Sequence, residues 1–196
     1  MEKEPFEPDC FYHIYNKGNN EENIFIEEKN YNFFLQKIIK YLVPIADIYS
    51  YCLLKNHFHM LLKIKPKEDL PEEYKETVHL PFSNLFNSYA KSINKHYNRT
   101  GSLFQEHLKR NKVENEDYLK QLLLYIHLNP VKHNFIDNFK EYPHSSYLAY
   151  ESDKPTHLKR DWILELFGGK ENFEFCHDEK QLKYEGVLDE IDKMDI

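Results

Sequence analysis

The stretch Asn56-His57-Phe58-His59-Met60-Leu61-Leu62 has the residue pattern of a buried β-strand that carries two histidines. Side chains at positions i and i+2 of a strand point to the same face. His57 and His59 therefore lie side by side, while Phe58 and Met60 point to the opposite, apolar face. Two imidazoles at this spacing suit a divalent cation. A structural histidine pair, bonded to backbone carbonyls, is the alternative interpretation.

The segments around this strand predict the fold. Strands are indicated by aromatic and β-branched residues and by strict alternation of apolar and polar residues. Helices are indicated by apolar residues at helical spacing. The predicted elements are, in order, a strand over 10–15, a short strand over 23–26, a helix over 28–43 ended by Pro44, a strand over 48–54, the His57 strand, a helix over 82–98 and a strand over 104–113. Apart from the short 23–26 strand, this is the ferredoxin-like βαββαβ order of an α+β fold, with both helices on one face of an antiparallel sheet. Parity places His57 and His59 on the other face.

A further amphipathic helix is predicted over 116–129. Asn115 is a suitable N-cap, acidic residues follow it, and leucines form an apolar stripe. Pro130 is predicted to end the helix. Tyr125 and Asn129 are four residues apart, so they are neighbours on one side. If this helix lies on the free sheet face, Tyr125 and Asn129 reach the two histidines.

A tyrosine close to two histidines and an asparagine is compatible with metal-assisted attack of the tyrosine on a phosphodiester. A tyrosine hydroxyl has a pKa of about 10 and attacks a phosphodiester usefully only when the phosphate is polarised and held in line. A divalent metal polarises it as a Lewis acid. Two imidazoles and one oxygen ligand, either a carboxylate or the Asn129 carbonyl, would hold that metal. Alternatively, Tyr125 is a packing residue and Asn129 a helix terminator. His127 is predicted to lie on the far side of the helix, exposed to solvent.

Length and composition limit the classes of protein to which the chain can belong. The chain has 196 residues, 41% hydrophobic and 30% charged, which is typical of a soluble globular domain with at most one appendage. No apolar run approaches the roughly 20 residues that span a bilayer, and the N-terminus lacks the pattern of a signal peptide. Three widely spaced cysteines indicate neither a disulfide framework nor a zinc cluster. We expect a reduced, cytoplasmic protein without a membrane partner.

The formal net charge of -7 is unevenly distributed. Residues 165–196 contain ten acidic and four basic side chains, whereas residues 89–112 contain six basic side chains and Glu106 alone. A phosphate backbone responds to the local field, so the basic block is a candidate nucleic-acid surface. The alternative is a solvated basic helix face.

Several motifs resemble one known family. In order they are Tyr12-His-Ile-Tyr-Asn-Lys-Gly-Asn19, His57-Phe-His59, Gly101-Ser-Leu-Phe-Gln105, Tyr125-Ile-His-Leu-Asn-Pro-Val131, Tyr142-Pro-His-Ser-Ser-Tyr147 and Asp161-Trp-Ile-Leu-Glu-Leu-Phe-Gly168. The set is similar to the HUH (His-hydrophobic-His) single-tyrosine transposases of the transposase-17 superfamily, and especially to the REP-associated tyrosine transposases. The likeness runs from about residue 10 to 168.

The resemblance implies that Tyr125 is the nucleophile, that His57 and His59 are metal ligands, and that Asn129 completes the metal site with Mg²⁺ or Mn²⁺. It implies cleavage of single-stranded DNA beside a hairpin, with a 5′-phosphotyrosyl link and a free 3′-hydroxyl, followed by strand transfer. We expect the transposase domain over 10–131, a helical extension over 132–168 packed on it, and an acidic tail over 169–196 that is partly helical or disordered.

The expected partner is single-stranded DNA with a hairpin, and the C-terminal extension favours a monomer over a homodimer. The candidate DNA contacts are Lys17, Asn19, Lys91, Lys95, Arg99, Lys109, Arg110 and Lys112. The alternatives are a non-catalytic single-stranded nucleic-acid-binding module of ferredoxin-like fold, a domesticated hairpin-DNA nuclease, and a metal-dependent hydrolase that uses water and does not need Tyr125.

Overall fold

A four-stranded antiparallel sheet with the strand order β2-β3-β1-β4 forms the centre of the protein, as seen in a computed structural model that describes residues 5–182. The elements are β1 Phe11–Lys17, α1 Glu28–Tyr41, β2 Ala46–Leu54, β3 His57–Ile64, α2 His79–His96, β4 Lys109–Val113, α3 Glu116–Lys132, α4 Tyr147–Glu151, α5 Arg160–Leu166 and α6 Lys170–Leu182. Four short 3₁₀ turns lie in the described connecting segments, two of them between β3 and α2. This order and sheet topology confirm the predicted ferredoxin-like α+β fold.

One face of the sheet packs against α1 and α2. Phe58, Met60 and Leu62 of β3 point to this face and are at most 1% exposed. They share a core with Phe34 of α1 and Leu85 of α2. The alternation predicted for β3 therefore places its apolar side chains against the helices and leaves the histidines on the opposite face.

The opposite face is covered by α3. Leu122, Leu123 and Ile126 of the predicted apolar stripe are fully buried and pack with Leu54 and Leu61 of the sheet. The expected position of this helix on the free sheet face is therefore correct. Aromatic residues of the segment after α3 complete the second core, namely Phe139, Tyr142, Tyr147, Tyr150, Phe167 and Phe173.

The start of α3 follows the prediction and its end does not. The side chain of Asn115 accepts a hydrogen bond from the Tyr118 amide at 2.8 Å, as expected of an N-cap. Pro130 does not end the helix, which runs to Lys132, and the His133 amide donates to the Asn129 carbonyl at 3.0 Å. Proline already has a helical φ and costs one hydrogen bond in the last turn, so one further turn forms around it.

Two predicted strands differ from the structure. Residues 23–26 form a loop in which the amides of Ile24 and Phe25 both donate to the Lys55 carbonyl, so their side chains fill the core without a strand ladder. The strand predicted over 104–113 begins only at Lys109. The Gln105 amide donates to the Lys17 carbonyl at the end of β1 and the Leu103 carbonyl accepts from Asn19, but only an isolated bridge between Gly18 and Phe104 forms there, so regular pairing is interrupted before Lys109.

Part of the expected acidic tail is an ordered helix. Phe173 and His177 of α6 are fully buried against the second core. The rest of the predicted tail, residues 183–196, lies outside the described residues, and the proposed division of the chain into three parts stays a prediction. Among residues 5–182, no helix combines the length and apolar composition needed to cross a membrane.

Candidate active site

A cleft of about 420 Å³ opens between the sheet and the C-terminal half of α3. His57 and His59 of β3 line it together with Tyr125 of α3. Asn129, one helical turn after Tyr125, is fully buried beside His57. The structure therefore brings together the four residues that were predicted as nucleophile and metal ligands, and all four come from one chain.

Asn56 fixes the protonation pattern of His57. The Nδ1 atom of His57 lies 2.8 Å from the Asn56 Oδ1 atom, and with the amide in this orientation the ring proton sits on Nδ1. Burial, followed by the nearby His133, lowers the pKa of His57 to about 4, and the ring is neutral at pH 7. Its Nε2 atom therefore presents a lone pair to the cleft side of α3.

That lone pair faces the side-chain amide of Asn129. The Nε2 atom of His57 lies 3.4 Å from the Asn129 Oδ1 atom, so two acceptors meet without a proton between them. The amide nitrogen of Asn129 is buried and has no hydrogen-bond partner among the described residues. Rotating the amide by 180° would leave its oxygen orphaned instead. Either orientation leaves a donor or acceptor unused, as expected where a ligand completes the site.

The second histidine is buried more deeply. His59 is 4% exposed, and burial lowers its pKa well below 6.5, as does the proximity of neighbouring histidines and of Lys132. Its Nδ1 atom lies 3.0 Å from the Nε2 atom of His13 on β1. Burial likewise lowers the pKa of His13 to about 3. Each of these rings is neutral at pH 7 and carries one proton.

Tyr125 stands edge-on to the histidines. Its ring centre lies 5.5 Å from that of His59 and 6.3 Å from that of His13, with interplanar angles of 87° and 82°. The ammonium group of Lys132, seven residues further along α3, lies 4.8 Å from the centre of the same ring. A cation at this distance stabilises negative charge on a phenolate or on a phosphate that reaches it.

The donor set fits a divalent metal through two imidazoles and one amide oxygen. Among residues 5–182, no group of three or more His, Cys, Asp or Glu side chains is arranged to hold a metal ion. A metal at this site would therefore depend on Asn129 as the oxygen ligand beside His57 and His59. Imidazole ligands suit transition metals, so of the two expected ions Mn²⁺ matches this set better than Mg²⁺.

The predicted DNA-contact residues do not form one surface. Lys17 and Lys109 line the cleft. Asn19 lies in the turn after β1, where its amide donates to the Leu103 carbonyl. Lys91 and Lys95 are exposed on α2, which covers the opposite face of the sheet.

The remaining three basic residues are engaged with acidic or aromatic neighbours. Arg99 forms an ion pair with Glu22, and Lys112 forms one with Glu7 at 2.7 Å. The guanidinium of Arg110 lies 4.4 Å from the Phe6 ring centre. The local charge of the 89–112 block is thus distributed over both faces of the sheet.

The prediction that His127 is solvated was wrong. It is fully buried, and its Nδ1 and Nε2 atoms lie 2.9 Å from His177 Nε2 and 2.8 Å from Ser146 Oγ. The far side of α3 faces the second core because the chain after α3 folds back over it. The contact between His127 and His177 joins α3 to α6, and His177 also bonds to the Phe173 carbonyl within α6 at 2.7 Å.

Sequence patterns missed three residues of the candidate site: Lys132 and His133, which line the cleft, and His13, which is buried behind His59. Strand parity places His13 on the same face of β1 as Lys17, but only the β1–β3 register brings it to His59. Lys132 follows Tyr125 by seven residues and would have been found had the helix been continued past Pro130. His133 follows the last helical residue and packs edge-on against His57, with ring centres 4.7 Å apart.

Comparison with known proteins gives two findings. A protein of Haemophilus influenzae strain Rd, provisionally named a REP-associated tyrosine transposase, is 24% identical over 113 residues, which cover 57% of this chain and 63% of that protein. The solved structure of a REP-associated tyrosine transposase bound to a REP hairpin has a TM-score of 0.62 and 15% identity, covering 79% of this chain and 88% of that one. No family model matches the chain.

The match to the Haemophilus protein spans less than two thirds of its length, and the structural likeness concerns the fold. The sequence match and the structural match nevertheless both agree with the resemblance indicated by the ordered motifs. Both comparisons confirm the resemblance of this chain to the REP-associated tyrosine transposases.

Proposed function

We propose that this protein is a metal-dependent transposase-type enzyme that cleaves and rejoins single-stranded DNA beside a hairpin, with Tyr125 as the nucleophile. The observation that carries the proposal is the convergence of Tyr125, His57, His59 and Asn129 on one cleft. The relative with a solved structure is a REP-associated tyrosine transposase bound to a REP hairpin, which supports hairpin DNA as the substrate.

In the proposed reaction the Tyr125 oxygen forms a bond to phosphorus while the bond from phosphorus to the 3′ oxygen breaks. The phenolic proton is lost and the departing 3′ oxygen takes up a proton, leaving a 3′-hydroxyl and a 5′-phosphotyrosine. An incoming 3′-hydroxyl attacks the phosphotyrosine in the reverse sense, which restores the phenol and a phosphodiester. The same steps serve transposition and the domesticated processing of hairpin DNA.

His57, His59 and Asn129 would hold the metal, which supplies Lewis-acid neutralisation of the phosphate oxygens. The protein itself contributes position and charge. The neighbouring histidine rings orient Tyr125, and Lys132 provides a cation beside its ring. Lys17 and Lys109 border the cleft and would contact the phosphates of a bound strand.

We further propose that a monomer suffices. The tyrosine of α3 meets the histidines of its own β3, so the site is complete within one chain. Cleavage rates that stay proportional to protein concentration, together with a monomeric mass in light scattering, would agree with this proposal. A rate that rises with the square of the concentration would contradict it.

The proposed chemistry is tested by covalent trapping. The protein is incubated with end-labelled single-stranded hairpin DNA and Mn²⁺ and then separated on a denaturing gel. We expect a metal-dependent protein–DNA adduct that is lost in Tyr125→Phe and in His57→Ala. Tyr118→Phe, on the same helix but outside the cleft lining, should retain the adduct.

The outcomes separate the alternatives. Cleavage that persists in Tyr125→Phe would contradict the tyrosine mechanism and indicate a metal nuclease that uses water. DNA binding without any adduct or cleavage across a series of hairpins would favour the non-catalytic binding module. For the third ligand, Asn129→Asp keeps an oxygen donor and should retain the adduct, whereas Asn129→Leu should lose it.

A further inference from the structure

His13 on β1 contacts the buried side of His59. The two rings are stacked, with centres 5.2 Å apart and an interplanar angle of 21°, and the His13 Nε2 atom lies 3.0 Å from the His59 Nδ1 atom. His13 is fully buried between the sheet and α3. Its Nδ1 atom has no hydrogen-bond partner among the described residues.

The contact has two possible proton arrangements because each neutral imidazole carries one proton. In the first, His59 donates from Nδ1, and its Nε2 atom keeps a lone pair. In the second, His13 donates from Nε2, and the proton of His59 sits on Nε2. Only the first arrangement allows His59 to ligate a cation, because its Nδ1 atom is already occupied by His13.

We infer that His13 is a positioning residue that accepts the Nδ1 proton of His59 and thereby keeps the Nε2 atom of His59 as a ligand for the divalent cation. The inference rests on the proposed metal site. A metal-bound histidine usually donates its second ring proton to a carboxylate or a backbone carbonyl, and here the imidazole of His13 would be that acceptor. Asn56 has the corresponding role for His57, through its Oδ1 atom.

The orphaned nitrogen of His13 supports this assignment. In either arrangement the Nδ1 atom of His13 is buried without a partner among the described residues, which is unfavourable because a polar atom loses its hydrogen bond to water. An apolar side chain at this position would avoid that cost and pack against Tyr15 and Tyr125, whose rings border His13. A histidine here is explained by its other nitrogen, which meets His59.

The proton positions are measured directly by ¹⁵N NMR of histidine-labelled wild-type protein loaded with Mg²⁺, a diamagnetic ion. We expect both His13 and His59 to carry their proton on Nδ1. The signals are assigned by comparison with His13→Gln and with other single-histidine variants. A proton on Nε2 of His59 in the loaded protein would overturn the inference, whatever the variants show.

Affinity for the metal alone gives a second test, measured as Mn²⁺ binding by electron paramagnetic resonance without DNA. His13→Leu removes the acceptor, and we expect about ten- to hundred-fold weaker Mn²⁺ binding. His13→Gln supplies an amide oxygen as acceptor and should keep most of the wild-type affinity. His177→Leu removes a buried histidine outside the cleft and should bind Mn²⁺ like the wild type.

The results distinguish the inference from the proposed function. Suppose that the wild type binds Mn²⁺ and that His13→Leu and His13→Gln both fold and bind Mn²⁺ with the wild-type affinity. This result would overturn the role of His13 but would not contradict the metal site. Wild-type protein that binds no Mn²⁺ would overturn the metal site and the role of His13 with it. Equal weakening in His13→Leu and His13→Gln would indicate packing rather than proton acceptance and would also overturn it.

Discussion

Lys132 places its ammonium group 4.8 Å from the centre of the Tyr125 ring, close to where negative charge develops in the proposed reaction. Lys132→Met keeps the chain length and removes the charge. We expect the single-turnover rate of adduct formation at saturating DNA to fall about ten- to a hundred-fold, or about 1.4–2.7 kcal/mol in the barrier. Lys120→Met, which removes an ion pair with Glu116 on the same helix, should leave that rate unchanged. If Lys132→Met weakens only DNA binding, its charge serves the substrate and not the chemical step.

Individual residues of the site were predictable where a local pattern specified them. Strand parity placed His57 and His59 on one face, and helical spacing placed Tyr125 beside Asn129. His13 was not predictable in the same way, because its contact with His59 depends on the β1–β3 register and joins residues 46 positions apart. The alternation along β1 does not specify the register between β1 and β3, on which this contact depends.

The turn after β1 is an element in which glycine is required by a close approach rather than by its φ angle. Gly18 has an ordinary φ of -59°, but a Cβ atom there would overlap the Glu22 carbonyl oxygen. Its amide donates to the Asn56 carbonyl at 2.7 Å, next to the residue that orients His57. Gly18→Ala therefore displaces the turn, and we expect a loss of about 1–3 kcal/mol in the free energy of unfolding.

The measurement is urea unfolding, with adduct formation measured in parallel. Gly101 is the contrasting position, because its φ is +84° and no atom lies near the place of a Cβ. Asparagine tolerates a positive φ better than most residues, so Gly101→Asn should destabilise the protein less than Gly18→Asn does. Equal stability of the two asparagine variants would show that the turn adapts and that the close approach is unimportant.

Element ends were predictable where capping chemistry determines them. Asn115 starts α3 as expected, since its side chain satisfies a free amide of the first turn. The end of α3 was not, because a proline near a helix end can be accommodated in the last turn, and the start of β4 was not, because it depends on bonds to another part of the chain. Pro130 is accommodated by one further helical turn, and residues 103–105 bond to the β1 turn instead of extending β4.

At the scale of the whole molecule, residues 5–182 form one sheet between two cores, and this architecture followed from the apolar faces of its elements. Each strand and helix had to bury one face, and the βαββαβ order left few arrangements. The polar network inside the second core was not predictable. Ser146, His127 and His177 connect three separate segments, and nothing in their local sequence distinguishes them from solvated residues.

This network predicts how the stability of the molecule depends on pH. Burial lowers the pKa of His177 from 6.5 to about 4, partly offset by its bond to the Phe173 carbonyl and by Asp178. The other groups that face it are His127 on α3 and Lys140. Above pH 6.5 the ring is neutral in both the folded and the unfolded chain, so its full contribution to the stability of the fold is present. Between about pH 6.5 and 4 only the unfolded chain binds the proton, so stability falls as the pH falls.

His177→Gln replaces the ring with an amide that is uncharged at every pH and still offers an acceptor to His127. We expect the slope of the free energy of unfolding against pH, measured by urea unfolding between pH 4.5 and 6, to be shallower by about 1.4 kcal/mol per pH unit. Above pH 7.5 the free energies of unfolding of the wild type and the variant should differ by a constant amount. This difference measures the effect of the substitution on packing, separately from the effect of removing the titrating group. Parallel slopes across the acidic range would contradict this prediction, because they would mean that His177 binds its proton equally in the folded and the unfolded chain.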